Sequence, residues 1–221
     1  MIKNNFDIYT KQADIYGKAD YWRSDEEFLV NKYFNPQKGR KLLVLGCGGG
    51  RTLPYLQEKG FDITAIDIVP KMVEAAQKKV QGLNIKVLEM DATNLKFDNE
   101  SFDYVFFPFH GLGCIYPNIY RAVSEAERVL KKDGLAIFNL HNRFFLRGIY
   151  KKFYKKYAKD SYGILVYGAT PLDFFKFKKY FKKVIISYRI SMLPWKHANW
   201  KDVCYKLIPI LDKSMYFICK K

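Results

Sequence analysis

The chain has 221 residues, 49% hydrophobic and 17% aromatic, with a formal net charge of +16. That apolar content supports one sizeable core, and no repeat, low-complexity stretch or Gly/Ser linker divides the sequence, so one domain over 1–221 is expected. No apolar run reaches the roughly 20 residues that span a bilayer, Met1-Ile2-Lys3-Asn4-Asn5 lacks the apolar core of a signal peptide, and Cys47, Cys114, Cys204 and Cys219 show no metal or redox spacing. These features predict a cytoplasmic protein with reduced thiols and no metal site.

The N-terminal segment, 1–36, reads as two helices. Phe6, Tyr9, Ala13 and Tyr16 recur at helical spacing, and a second helix follows over about 25–34. Leu42-Leu43-Val44-Leu45 is a continuous apolar run ended by glycines, the pattern of a parallel strand buried on both faces. A helix over 52–59 is closed by Gly60. Ile63 to Asp67 is a second strand, and Pro70 opens the next helix. Strands follow at 85–89 and 102–107, then a helix opened by Pro117 that ends before Asp133-Gly134, then a fifth strand at 135–140. Beyond it, 143–159 reads as a basic amphipathic helix and 164–167 as an extra strand. Residues 171–181 read as a helix, and 184–191 and 214–219 as the last two strands of the main set. Strand–helix alternation at this spacing predicts a Rossmann-like, doubly wound α/β sheet with helices on both faces.

The strongest local motif lies at the first strand-to-helix junction, Gly46-Cys47-Gly48-Gly49-Gly50-Arg51. Glycine serves there because a tight turn demands φ values that a Cβ forbids, and because a ligand can then approach bare backbone at a helix start. The dinucleotide pattern G-x-G-x-x-G fails, since its last position falls on Arg51, and no Gly-Lys-Ser/Thr follows for a phosphate-cradling loop. The pattern present is G-x-G-x-G.

With this motif the sequence resembles the class I S-adenosylmethionine (SAM)-dependent methyltransferases, small-molecule branch. Gly46 to Gly50 matches the family's first motif, around the methionine part of SAM. Ala65-Ile66-Asp67-Ile68 matches the second, Met90-Asp91-Ala92 the third, and Ser101 to Val105 the fourth-strand motif. Glu127 to Leu135 resembles the helix-to-fifth-strand signature, and Tyr9-x-x-x-Ala13-x-x-Tyr16 resembles the lid helix. One position departs: Val44 stands where the family usually carries an acid that orients the turn and the amino-acid end of SAM. The resemblance implies a seven-stranded, mostly parallel sheet with an antiparallel last strand, SAM as cofactor and S-adenosylhomocysteine as product.

It also implies a set of contacts. Gly46, Cys47, Gly48 and Gly50 wrap the cofactor. Asp67, 17 residues beyond Gly50, accepts the ribose hydroxyls; two charge-assisted bonds from a diol contribute roughly 1.5–3 kcal/mol each. A helix-capping aspartate is the alternative there. Asp91 and Ala92 stand by the adenine, or Asp91 is a loop acid. Ile68 and Met72 supply apolar walls, with a core role open for Met72. Tyr16 covers the sulfonium by a cation–π contact or packs as a lid residue. Phe107 belongs to the cofactor set.

At the fourth strand's tip, Phe106-Phe107-Pro108-Phe109-His110 lacks the Asn/Asp-Pro-Pro-Tyr/Phe of base-amino methylases. His110 is the candidate general base, with a pocket-lining histidine as the alternative. Residues 141–221 carry 19 Lys/Arg against four acids, whereas 1–140 carry 19 against 18. The basic stretch 143–159, within an insertion over 143–168 expected to cover the acceptor, reads as a solvated face, a site for an anionic small molecule or anionic membrane, or a nucleic-acid track. A small-molecule acceptor is the leading expectation. The alternatives are an RNA methyltransferase and a catalytically silent SAM-binding module.

Overall fold

The computed structural model describes residues 3–36, 38–143, 157–159, 163–188 and 214–221. Two helices lead, α1 (Lys3–Lys18) and α2 (Ser24–Tyr33). There follow β1 (Lys41–Leu45), α3 (Leu53–Glu58), β2 (Asp62–Asp67), α4 (Pro70–Lys79), β3 (Ile85–Glu89) and β4 (Phe102–Phe107). Next come α5 (Gly111–Cys114), α6 (Ile119–Val129), β5 (Leu130–Asn142), β6 (Tyr157–Lys159) and β7 (Leu165–Ala169). The last elements are α7 (Asp173–Phe177), β8 (Lys183–Tyr188) and β9 (Ser214–Lys220).

The sheet runs β3-β2-β1-β4-β5, all parallel, and continues from β5 through antiparallel β9 to β8. This is the expected doubly wound sheet with one reversed strand. The β1 run explains how both faces are covered. Leu43 and Leu45 point into a core with Ile119, Val123 and Ala126 of α6, while Leu42 and Val44 point into a second core with Leu29 and Val30 of α2 and Leu53 and Leu56 of α3. Burial on both faces is why the strand reads as continuous rather than alternating hydrophobicity. In α6 the buried residues Ile119, Ala122, Val123, Ala126 and Val129 recur at the three-to-four spacing of one helix face. Chain order reverses between β1 and β4, and an open α/β sheet forms its ligand crevice at such a point, beyond the carboxyl ends of the strands.

The C-terminal part departs from expectation in two places. Asp133-Gly134 lies inside β5 as an irregularity, with the register shifting between Phe102 and Tyr104 and Asp133 at φ 62°. A Cβ on Gly134 would lie 2.9 Å from the Lys131 carbonyl and 3.0 Å from that of Asp103, so the bulge needs glycine. Residues 157–159, expected as the end of a basic helix, form β6 and pair antiparallel with β7 through Tyr157↔Tyr167 and Lys159↔Leu165. A strand at an edge exposes open hydrogen-bonding groups, and the β7 edge outcompetes helix propensity for this short stretch. Helical character over 144–156 lies outside the described residues, as do Cys204 and positions 189–191. Among the described residues, no helix is long and apolar enough to cross a membrane.

Candidate active site

A cavity of about 310 Å³ opens over the carboxyl ends of β1, β2, β4 and β5. Its floor is the glycine turn. The ladder of β1 and β2 continues one step beyond the strands, with Cys47 N donating to the Ile66 carbonyl at 2.9 Å, and then the chain turns. Gly46, at φ 60°, leaves room for the Phe107 ring, which would lie 2.7 Å from a Cβ there. Gly49 matters for a different reason: its Cβ would lie 2.5 Å from the backbone of Tyr16 and Gly17, because α1 ends directly on top of the turn.

Asp67 ties the turn to the next helix. Its Oδ2 accepts from Gly48 N at 2.8 Å and its Oδ1 from Val69 N at 3.0 Å. Burial pushes its carboxyl above the ordinary range, against the pull of the Val69, Gly48 and Ile68 amides. A carboxylate has about four acceptor sites, so each oxygen keeps one for a hydroxyl in the cavity. Asp67 is not the helix cap: Val69 holds the N-cap position of α4 without a side-chain cap, and the bond from Val69 N to Asp67 closes a local turn before the helix. Asp91 is half-buried, lines the same wall and accepts from Thr93 N at 2.8 Å. Ile68, Met72, Met90 and Ala92 make the surface around these acids apolar.

Two arginines line the same cavity. Arg23 grips Asp25 with Nε at 3.0 Å and Nη2 at 2.8 Å, and Asp25 also accepts from Tyr216 OH at 2.7 Å. Arg51, directly after the glycine turn, donates Nη1 to the Tyr21 carbonyl at 3.0 Å and Nη2 to Glu26 at 2.9 Å. Both guanidinium groups stand over the Phe109 ring, at 5.5 and 5.2 Å. Burial pushes the Glu26 carboxyl upward, with the Arg51 charge and hydrogen bond pulling it back.

Two histidines also line the cavity. Phe109 and His110 both hold positive φ, 49° and 60°, a conformation costing about 1–3 kcal/mol in each non-glycine residue. The bond from His110 N to Asn139 Oδ1, 2.9 Å, holds the turn in place. The His110 ring stacks on His141 at 3.7 Å, and its Nε2 is 3.0 Å from Ser214 Oγ. Tyr9, Cys114, Ile115 and Val166 complete this part of the wall.

Helix α1 roofs the cavity and is latched at its far end. Asn5, fully buried, donates to the carbonyls of Cys114 (2.9 Å) and Leu165 (2.8 Å) and accepts from Leu165 N (2.8 Å), so its amide mimics a strand partner for β7.

Tyr16, Gly46, Cys47, Gly48, Asp67, Ile68, Met72, Asp91, Ala92, Phe107 and His110 all line this one cavity. Gly50 does not: at φ 82° it lets α4 close in, with Ala76 3.1 Å from where a Cβ would be, so its role is packing. Cys47 is buried, and burial together with the Asp67 charge pushes its thiol well up, so it is a wall and not a nucleophile. Sequence reading missed Asn5, Arg23, Glu26 and Arg51. Only Arg51 carried a signal, its place immediately after the glycines.

The family described as "Methyltransferase domain" matches residues 43–138, the segment that builds the floor and both acidic strand tips. Over that segment the chain is similar to the class I SAM-dependent methyltransferases. It is 32% identical to the uncharacterized protein MJ1252 of Methanocaldococcus jannaschii over 154 residues, 70% of this chain and 57% of that one. It is 38% identical to the demethylmenaquinone methyltransferase of Staphylococcus epidermidis over 113 residues, 49% of this chain and 46% of that one. The chain thus spans about half the length of the curated relatives it matches. Among solved structures, a SAM-dependent methyltransferase from Thermotoga maritima superposes with a TM-score of 0.65 at 21% identity, covering 98% of this chain and 99% of that one. The Haemonchus contortus phosphoethanolamine N-methyltransferase 2 bound to SAM gives 0.67 at 18%, covering 97% and 56%. Both show the fold. The family's cofactor fits the residues present: bare backbone at the turn, a buried acid with spare acceptor sites for a diol, apolar walls for a purine, and two arginines in the lining for a carboxylate.

Proposed function

We propose that this chain transfers the methyl group of SAM to an O, N or C atom of a small molecule. One observation carries the reading: the glycine turn, Asp67, Asp91, Arg23, Arg51, His110 and His141 all line a single cavity, with Tyr9 and Tyr16 of α1 over it. The ribose and adenine belong with Asp67, Asp91, Met72 and Met90, and the methionine carboxylate with Arg51 and Arg23. Tyr16 lies over the turn. When bound, SAM supplies a methyl group on a sulfonium, an electrophile with a good leaving group. The chain's own contribution is position: the turn and the lid hold the reactants in line and exclude water. His110, braced by Asn139, is the group placed to take a proton from a hydroxyl or amine acceptor.

A small acceptor is supported by the latched roof. Asn5 and the Gly49–Tyr16 contact fasten α1 at both ends, so among the described residues a fixed helix covers the cavity. The demethylmenaquinone methyltransferase among the relatives points the same way. An RNA acceptor is the second reading, favoured by the excess of 15 positive charges over 141–221. The test is incubation with methyl-labelled SAM and either fractionated small metabolites or total RNA. Label in the small-molecule fraction is expected. Label confined to RNA overturns the small-acceptor reading, and tight SAM binding without transfer to either fraction leaves a silent SAM-binding module.

A further inference from the structure

The departure at position 44 has a counterpart in α2. Val44 is wholly buried between Leu29, Val30, Ala65 and Phe106, a place with no room for a hydrated acid. Glu26, in the first turn of α2, is equally buried yet ionisable. A buried carboxylate is costly unless paired, and its side-chain partner is Arg51. Oε1 accepts from Arg51 Nη2 at 2.9 Å; Oε2 lies equally near that nitrogen but out of line, without a hydrogen bond. Arg51 is held on its other faces by the Tyr21 carbonyl and by the Tyr21 and Phe109 rings. It reaches the cavity one residue beyond the glycine turn, while Glu26 stays behind it and outside the lining.

We propose that Glu26 is a positioning residue for the amino-acid end of the cofactor: it fixes the Arg51 guanidinium against the first β–α turn and so does from α2 what the family's acid does from the first strand. This rests on the cofactor reading above. A guanidinium suits the task because its planar fork can spend one edge on an internal carboxylate and present another to a ligand carboxylate. With the anchor neutralised, the fork is free to turn, and the loss falls on ligands that carry a carboxylate.

The test compares two ligands that share the adenosine and differ at the other end. S-adenosylhomocysteine has the amino-acid tail; 5′-methylthioadenosine lacks it. Both are titrated calorimetrically into the wild type, Glu26→Gln and Arg51→Lys. For Glu26→Gln, affinity for S-adenosylhomocysteine falls about tenfold while that for methylthioadenosine stays within about twofold of the wild type. Arg51→Lys reproduces the pattern, because an ammonium is a point charge without the planar fork that spans Tyr21, Glu26 and a ligand carboxylate, and it serves in place of Glu26→Gln if that variant does not fold. Equal loss for both ligands, or no loss for either, overturns the proposal and leaves the pair as a staple for α2. A wild type that binds neither ligand overturns the cofactor reading and this proposal together; a wild type that binds both isolates the role of Glu26.

Discussion

The acids and the arginines that line the cavity are positioned differently. The acidic group is assembled at strand tips, where Asp67 and Asp91 follow β2 and β3 and inherit their positions from backbone pairing such as Ile66↔Leu88 and Met90 N to the Asp67 carbonyl. The arginine group is assembled by side chains. Arg23 and Arg51 are held by Asp25 and Glu26, and Asp25 is held in turn by Tyr216, 191 residues away. The acidic group therefore depends on local chain geometry and on one carboxylate, while the arginine group depends on packing between distant segments. The same contrast separates the roof from the floor: α1 rests on bare glycine backbone at one end and on the Asn5 amide at the other.

Four measurements break or sharpen that contrast. The largest effect is expected for Asp67→Ala, which removes both diol acceptors and the partner of Gly48 N and Val69 N; SAM affinity by calorimetry should fall about a hundredfold or more. Unchanged affinity would remove the acidic group from the site. Next, Asn5→Ala removes three hydrogen bonds, to the Cys114 and Leu165 carbonyls and from Leu165 N, so thermal or denaturant unfolding should show a loss of about 2 kcal/mol, with faster proteolysis in α1. A variant as stable and as protease-resistant as the wild type would show that the latch is idle. Third, Gly49→Ala drives a Cβ into Tyr16 and Gly17, and lifting the roof should weaken SAM binding about tenfold; retained affinity would mean the roof is not part of the site.

The smallest effect is in pH. Because the folded Asp67 carboxyl is held above its unfolded value, its ionised form costs the apo protein stability at neutral pH, and that cost is relieved as the pH falls through its raised pKa. Binding has the opposite sign, since a protonated Asp67 accepts less well, so SAM affinity should decline severalfold on acidification before the fold is lost. Asp173 is the counterweight. Burial pushes its carboxyl up, but the Tyr120 and Tyr167 hydroxyls, Lys176 and the Thr170 amide outweigh it and leave it lowered. Its stability contribution is present above the unfolded pKa and is lost only as the pH falls through the lowered one. Affinity that rises on acidification would contradict the assignment of Asp67.

The acidic group was legible because the residues that make it are short-range. Four glycines after a buried apolar strand, an acid at the end of each of the next two, and Pro70 at a helix start are local facts of backbone geometry, and a parallel sheet places them in one crevice whatever surrounds it. The fifth strand was foreseen in its buried stretch and missed in its first residues, since Asp133-Gly134 looks like a stop and only the Phe102↔Leu130 pairing shows it to be a bulge.

By itself, then, the order of residues determined the strands, the mostly parallel sheet and the strand-tip acids, because periodicity and glycine sterics act between neighbours in the chain. Tertiary structure alone decided that Asn5 latches α1 to β7, that Gly50 packs against α4 rather than lining the cavity, and that Glu26 stands behind Arg51 while Val44 stays apolar. Each of those depends on which side chains meet across tens of residues, and buried polar groups take the partner that folding brings within reach.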